Sequence, residues 1–137
     1  MSGFVLDASC AIAALLSDEA GPESDAILRR ISVETPWVPT LWFAEVGNSL
    51  EMARRRRRIT ATDLNEVLET IAAWRLSVDR EDPTILLPRI MSLAAGHMLT
   101  VYDATYMELA GRLSVPLATF DASLAREASQ VGISLLA

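Results

Sequence analysis

The chain has 137 residues, of which 51% are hydrophobic and 22% charged. That length suits one domain, expected to cover residues 1–137, and the balance favours a buried core over disorder. A formal charge of −6 argues against nucleic-acid binding by bulk charge. No apolar run reaches the roughly 20 residues of a membrane span, and the opening stretch lacks the basic region of a secretory signal, so a cytoplasmic protein is expected.

Phe4, Val5 and Leu6 form a short apolar run that ends at Asp7 and leads into a helix-forming apolar segment over 8–16. Within it lies Cys10, the only cysteine, which excludes an intramolecular disulfide and a cysteine-rich zinc site. Set between Ser9 and Ala11, it reads as a small core residue. Gly21 and Pro22 break the chain before a helical pattern over 23–31, carried by Ile27, Leu28 and Ile31. Trp37 and Val38, bracketed by Pro36 and Pro39, allow only a very short strand or a sheet edge. Pro39 suits the first turn of a long helix reaching about residue 55.

Thr60 and Asp63 have capping-box spacing, with Asp in place of the usual Glu. They open a helix whose Leu64, Val67, Leu68, Ile71 and Ala72 follow the 3.6-residue period. Residues 75–79 alternate like a strand. A further helix is expected from about Asp82–Pro83 to Gly96, with Gly96 at its C-terminal cap and with Pro88 either kinking it or marking a later start. The only histidine, His97, falls at that helix end, so a Cys10–His97 nucleophilic pair has no support. Residues 103–113 are helical, 115–119 a buried-strand candidate, 121–130 a helix and 133–136 a final strand. Strands separated by helices predict an α/β sandwich with a parallel sheet covered on both faces.

Four carboxylates stand out. Asp7 directly follows one strand and Asp121 lies two residues beyond Thr119 at the end of another; open parallel sheets bind ligands beyond the carboxyl ends of their strands. Asp103 follows the apolar stretch 98–102 and opens a helix. Each aspartate taken singly reads as an N-cap. Glu45 does not: it lies inside a mostly apolar helix, with Asn48 and Ser49 on its side at i+3 and i+4, and a carboxylate there costs free energy unless paired or bound to a cation. Converging carboxylates raise one another's pKa. A hard divalent cation, Mg²⁺ or Mn²⁺ with oxygen ligands and waters, removes that repulsion and suits phosphodiester hydrolysis.

All 12 basic residues are arginines. Without lysine, a Walker-A loop is excluded, and so is the lysine-dependent phosphoryl chemistry of receiver domains and haloacid-dehalogenase-type phosphatases. No glycine-rich turn follows Leu6, so a Rossmann dinucleotide site is unsupported as well. Five arginines are consecutive: Arg54, Arg55, Arg56, Arg57 and Arg58. A helix end accommodates one or two cations, but five repel one another at i,i+3 and i,i+4 if the helix continues, so RNA phosphate or an acidic stretch of a protein partner is expected to meet them. Trp37, Trp42, Phe43 and Trp74 are expected in the core or a protein interface rather than under bases. Met91, Met98 and Met107 are expected as core filler.

In this order and spacing, four segments resemble the PIN-domain ribonucleases, in particular the VapC-type toxins of bacterial toxin–antitoxin pairs. They are Phe4-Val5-Leu6-Asp7-Ala8-Ser9, then Trp42-Phe43-Ala44-Glu45-Val46-Gly47-Asn48-Ser49-Leu50, then Tyr102-Asp103-Ala104-Thr105-Tyr106, and finally Leu117-Ala118-Thr119-Phe120-Asp121-Ala122-Ser123-Leu124. The resemblance implies a three-layer sandwich around a mostly parallel sheet of four to five short strands. It implies that Asp7, Glu45, Asp103 and Asp121 form a Mg²⁺-binding, catalytic acidic cluster, with Ser9, Asn48 and Thr119 positioning the acids or water. It further implies an RNA substrate, a small antitoxin that blocks the nuclease, and a homodimer. Two other readings share the fold: a housekeeping RNA-processing nuclease without an antitoxin, and a non-catalytic interaction module, against which the intact four acids count.

Overall fold

The computed structural model describes residues 3–136; Met1, Ser2 and Ala137 lie outside them, and so does that part of the expected domain and opening stretch. The elements follow in chain order: β1 (Phe4–Leu6), α1 (Ala8–Leu15), α2 (Pro22–Val33), β2 (Pro36–Val38), α3 (Leu41–Arg55), α4 (Ala61–Ala73), β3 (Ser77–Val78), α5 (Pro83–His97), α6 (Val101–Leu113), β4 (Leu117–Ala118), α7 (Ala122–Gln130) and β5 (Leu135–Leu136). A single 3-10 turn over Ser17–Glu19 joins α1 to α2. No single helix among the described residues is long and apolar enough to cross a membrane.

The five strands pair in parallel in the order β3-β2-β1-β4-β5. The chain winds outward from β1 to β3, then returns across β1 to β4 and β5. With the right-handed crossovers that parallel strands adopt, α1–α4 cover one face and α5–α7 the other, giving the three layers. The reversal falls between β1 and β4, and their carboxyl ends make the crevice where such sheets bind ligands. β1 is buried throughout and forms the core with Leu117, Ala118, Trp42, Tyr106, Met107 and Leu109. Gly3 enters β1 at φ +107, where a Cβ would stand 2.4 Å from the Thr35 carbonyl oxygen, so only glycine fits.

Several local expectations change. Of the two readings of Trp37 and Val38, the very short strand holds: Pro36–Val38 has three residues and lies inside the sheet, between β1 and β3. Pro36 is tolerated as the first residue of the strand. Strands β3, β4 and β5 are two residues each, shorter than the alternation suggests, because regular pairing lasts only where neighbours overlap in register. α5 runs unbroken through Pro88, and Gly96 lies inside it; the left-handed residue that ends it is Met98, at φ 54. The Thr60–Asp63 capping box is present, with both reciprocal bonds. Of the three methionines expected in the core, Met107 is buried, whereas Met91 and Met98 are exposed on the outer face and end of α5. Trp42 is buried with Phe43 exposed beside it in a T-shaped pair.

An ion network pins α6 to the sheet. Arg112 donates to both oxygens of Glu108 one turn earlier and to Asp79 just after β3, the shortest contact being 2.6 Å. Asp79 is thus neutralised at its own strand end.

Candidate active site

Asp7 follows β1 at the centre of the sheet and is 5% exposed. It occupies the N-cap position of α1, yet its side chain makes no cap bond there. Its Oδ2 instead accepts the hydroxyls of Ser9 at 2.7 Å and Thr119 at 2.6 Å. The Ser9 and Thr119 oxygens in turn accept the backbone N–H groups of Phe120 and Asp121. The two strand ends are therefore laced together beneath one carboxylate, with one Asp7 oxygen consumed by hydroxyls. The N-cap reading fails for Asp7.

It fails for Asp103 too, for a different reason. Thr100 caps α6 by accepting the Asp103 N–H, and Asp103 sits in the first turn rather than before it. Only Asp121 behaves as a cap, accepting the Leu124 N–H at 2.8 Å. Glu45 projects from the middle of α3, half-buried. Its partner, unforeseen in the sequence, is Tyr106 of α6, whose phenol donates to Glu45 Oε1 at 2.5 Å. Asn48, exposed on α3, lines with Ala8, Ser9, Glu45 and Phe120 a cleft of about 440 Å³. A larger apolar groove of about 800 Å³, lined by Pro88, Leu93, Met107 and Val131 among others, includes none of the four acids.

The electrostatics gather the acids into one field. Burial pushes the Asp103 carboxyl up to about 6, with the charges of Asp121, Asp7 and Glu45 adding to the shift. Burial also raises Asp7, against the lowering effect of the Thr119 and Ser9 hydroxyls and with a further push from Asp121. Glu45 is raised by burial and by Asp7, and lowered by the Tyr106 hydrogen bond. Asp7, Glu45 and Asp103 are thus raised first by burial and then by neighbouring carboxylates, a charge pattern that a cation would relieve.

The donor set fits a hard divalent ion: carboxylate and hydroxyl oxygens and no lysine. Among the described residues, no three Asp, Glu, His or Cys side chains stand close enough to enclose an ion by themselves. An ion that keeps much of its own water shell, as Mg²⁺ does, suits such an open set. The Cys10 thiol is buried, and burial pushes its pKa up, as expected of a core residue. His97 instead meets Glu127 at 3.2 Å.

The arginine run divides. α3 ends at Arg55, and Arg57 turns left-handed at φ 61, so the run does not continue as a helix and its charges splay apart. Arg54 and Arg55 pair with Glu51. Arg58 binds Asp18 through two nitrogens and Glu19 through one, tying the α3–α4 link to the 3-10 turn, whose Glu19 also lines the cleft. Arg56 and Arg57 are exposed and have no acidic partner among the described residues.

Comparison with known proteins bears on the family and the fold. The family model described as PIN domain matches residues 4–129. The chain is 36% identical over 121 residues to "VapC ribonuclease Mb0985" of Mycobacterium bovis, covering 88% of this chain and 87% of that protein. It is 34% identical over 122 residues to "Ribonuclease VapC12" of Mycobacterium tuberculosis, covering 89% of each. Among solved structures, PAE2754 from Pyrobaculum aerophilum superposes with a TM-score of 0.69 at 22% identity, covering 98% of this chain and 83% of that one. FitAcB from Neisseria gonorrhoeae does so at 0.65 and 16% identity, covering 98% and 96%. These two share the fold. With a family match spanning nearly its whole length and relatives above a third identical, the chain belongs to the PIN-domain family.

Proposed function

We propose that residues 1–137 act as one PIN domain in the cytoplasm, a Mg²⁺-dependent endoribonuclease held in check by an antitoxin. The observation that carries the reading is the shared field of Asp7, Glu45, Asp103 and Asp121 at the β1/β4 switch point, in a chain whose relatives are named VapC ribonucleases. These four residues are the proposed metal ligands and the catalytic set. A divalent cation held there neutralises the acids and stabilises charge developing on a phosphodiester undergoing hydrolysis; Mn²⁺ would serve as well as Mg²⁺ by donor preference.

The protein's own groups have separable tasks. Ser9 and Thr119 occupy one oxygen of Asp7 and leave the other for the ion. Asn48, on the cleft wall one turn beyond Glu45, is the candidate for holding water or a substrate oxygen. Arg56 and Arg57 offer phosphate contacts, whereas Arg54, Arg55 and Arg58 are engaged within the chain. An apolar stripe of Leu87, Met91 and Met98 along α5 supports pairing of two copies.

The test is cleavage of single-stranded RNA by the purified chain. Cleavage should require Mg²⁺ or Mn²⁺, stop in EDTA and return when the metal is restored in excess. Cleavage that continues unchanged in EDTA sinks the metal-dependent reading.

A further inference from the structure

The Glu45–Tyr106 pair is the one contact at the site that neither cap geometry nor the hydroxyl lacing explains. Resting on the ribonuclease reading above, the geometry points to Tyr106 as a positioning residue that fixes Glu45 for metal binding and sets its spacing from Asp103. Tyr106 lies one turn after Asp103 on α6, on the same side of that helix at i+3. Its ring is 0% exposed, packed in the main core, and so provides a rigid anchor with few internal rotations. Its hydroxyl reaches 61 positions back along the sequence to Glu45 Oε1.

A glutamate has three side-chain torsions, and in the middle of a helix nothing local holds its carboxylate still. A phenol bonded to Oε1 restricts that freedom, and Oε2 has no hydrogen-bond partner among the described residues. Because donor and anchor share α6 with Asp103, the same bond fixes the separation of two acids contributed by different helices. Groups one step behind the ligands typically change metal affinity by about 10–100-fold. The rival explanation is that the bond merely satisfies a buried phenol. In that case its loss lowers stability and leaves the metal site alone.

The experiment measures Mn²⁺ binding by electron paramagnetic resonance to the full chain, comparing the unsubstituted protein with Tyr106→Phe, Glu45→Gln and the double variant. Tyr106→Phe should weaken Mn²⁺ binding about 10–100-fold yet cause little further loss on the Glu45→Gln background, because both act through one carboxylate. An unchanged affinity in Tyr106→Phe, or losses that add in the double variant, overturns the inference. Should the variants fail to fold, 3-fluorotyrosine placed at Tyr102 and Tyr106 of the otherwise unaltered chain gives the readout. The Tyr106 fluorine resonance, assigned with Tyr102→Phe, should shift saturably with Mg²⁺, and a resonance indifferent to saturating Mg²⁺ overturns it. If the unsubstituted chain binds neither metal, the ribonuclease reading fails and takes this inference with it; if it binds while Tyr106→Phe binds equally, only this inference fails.

Discussion

At the scale of single residues, the site is built from charges that disfavour one another. Asp103 keeps its proton up to about 6 in the fold, whereas a free aspartate loses it near 3.8. Between those values the folded state binds more protons than the unfolded one, so the free energy of unfolding falls as pH rises through that window and stays lower above it. Asp7 and Glu45 shift in the same direction. Metal-free protein should therefore melt at a higher temperature near pH 4.5 than near pH 7, and Mg²⁺ should raise the pH 7 value. Asp103→Asn removes one of the repelling charges; in metal-free protein at pH 7 it should raise Tm by about 2–4 °C while weakening Mn²⁺ binding. A calorimetric scan in EDTA checks it, and a lower Tm contradicts the repulsion.

At the scale of elements, two ion networks make opposite predictions. Arg112 is partly buried between Glu108 and Asp79, and removing it leaves two carboxylates without their cation. Arg112→Ala should cost about 2–3 kcal/mol in urea unfolding, discounted from a fully buried pair because the site retains some water access. Arg56 and Arg57 are exposed and unpaired among the described residues, so replacing both with serine should leave stability within about 0.5 kcal/mol. If they contact RNA phosphates, the same change reduces the slope of log affinity against log salt by about 2; an unchanged slope returns these two residues to the solvated surface.

Element by element, what the sequence discloses depends on whether the cause is local. The Thr60–Asp63 cap, the end of α3 at Arg55 and the alternation of strands with helices follow from neighbouring residues and are as the spacing predicts, whereas α3 begins at Leu41, after Pro39 rather than with it. Asp7 and Asp121 could be assigned to one sheet edge because a parallel sheet presents its strand ends together. The identity of the α5 terminator was not legible: Gly96 has the favoured residue type, yet the helix runs on to His97 and Met98 takes the left-handed turn. The Tyr106 partner of Glu45 was also hidden, since the bond joins two helices far apart in sequence. A tyrosine one turn beyond a candidate ligand, in an otherwise apolar helix face, was the available signal. Met91 and Met98 read as core by composition, but which face of a helix is covered is decided by packing across the whole fold.

At the scale of the whole molecule, those exposed methionines join Leu87 as apolar side chains facing water on α5 and at its end. Two copies meeting there would remove that apolar surface from water. Light scattering should return a dimer mass for the unsubstituted chain at micromolar concentration and a monomer for Met91→Glu; a monomer in both assigns that face to another partner. The central claim is that four carboxylates, two from helices and two from strand ends, make this chain a metal-dependent ribonuclease. Its most direct test is sequencing of RNA ends after controlled expression in cells, beside an Asp7→Asn control that folds equally well. The account predicts new, recurrent 5′ ends with the unsubstituted chain and none with the variant. Identical end profiles from both would contradict it.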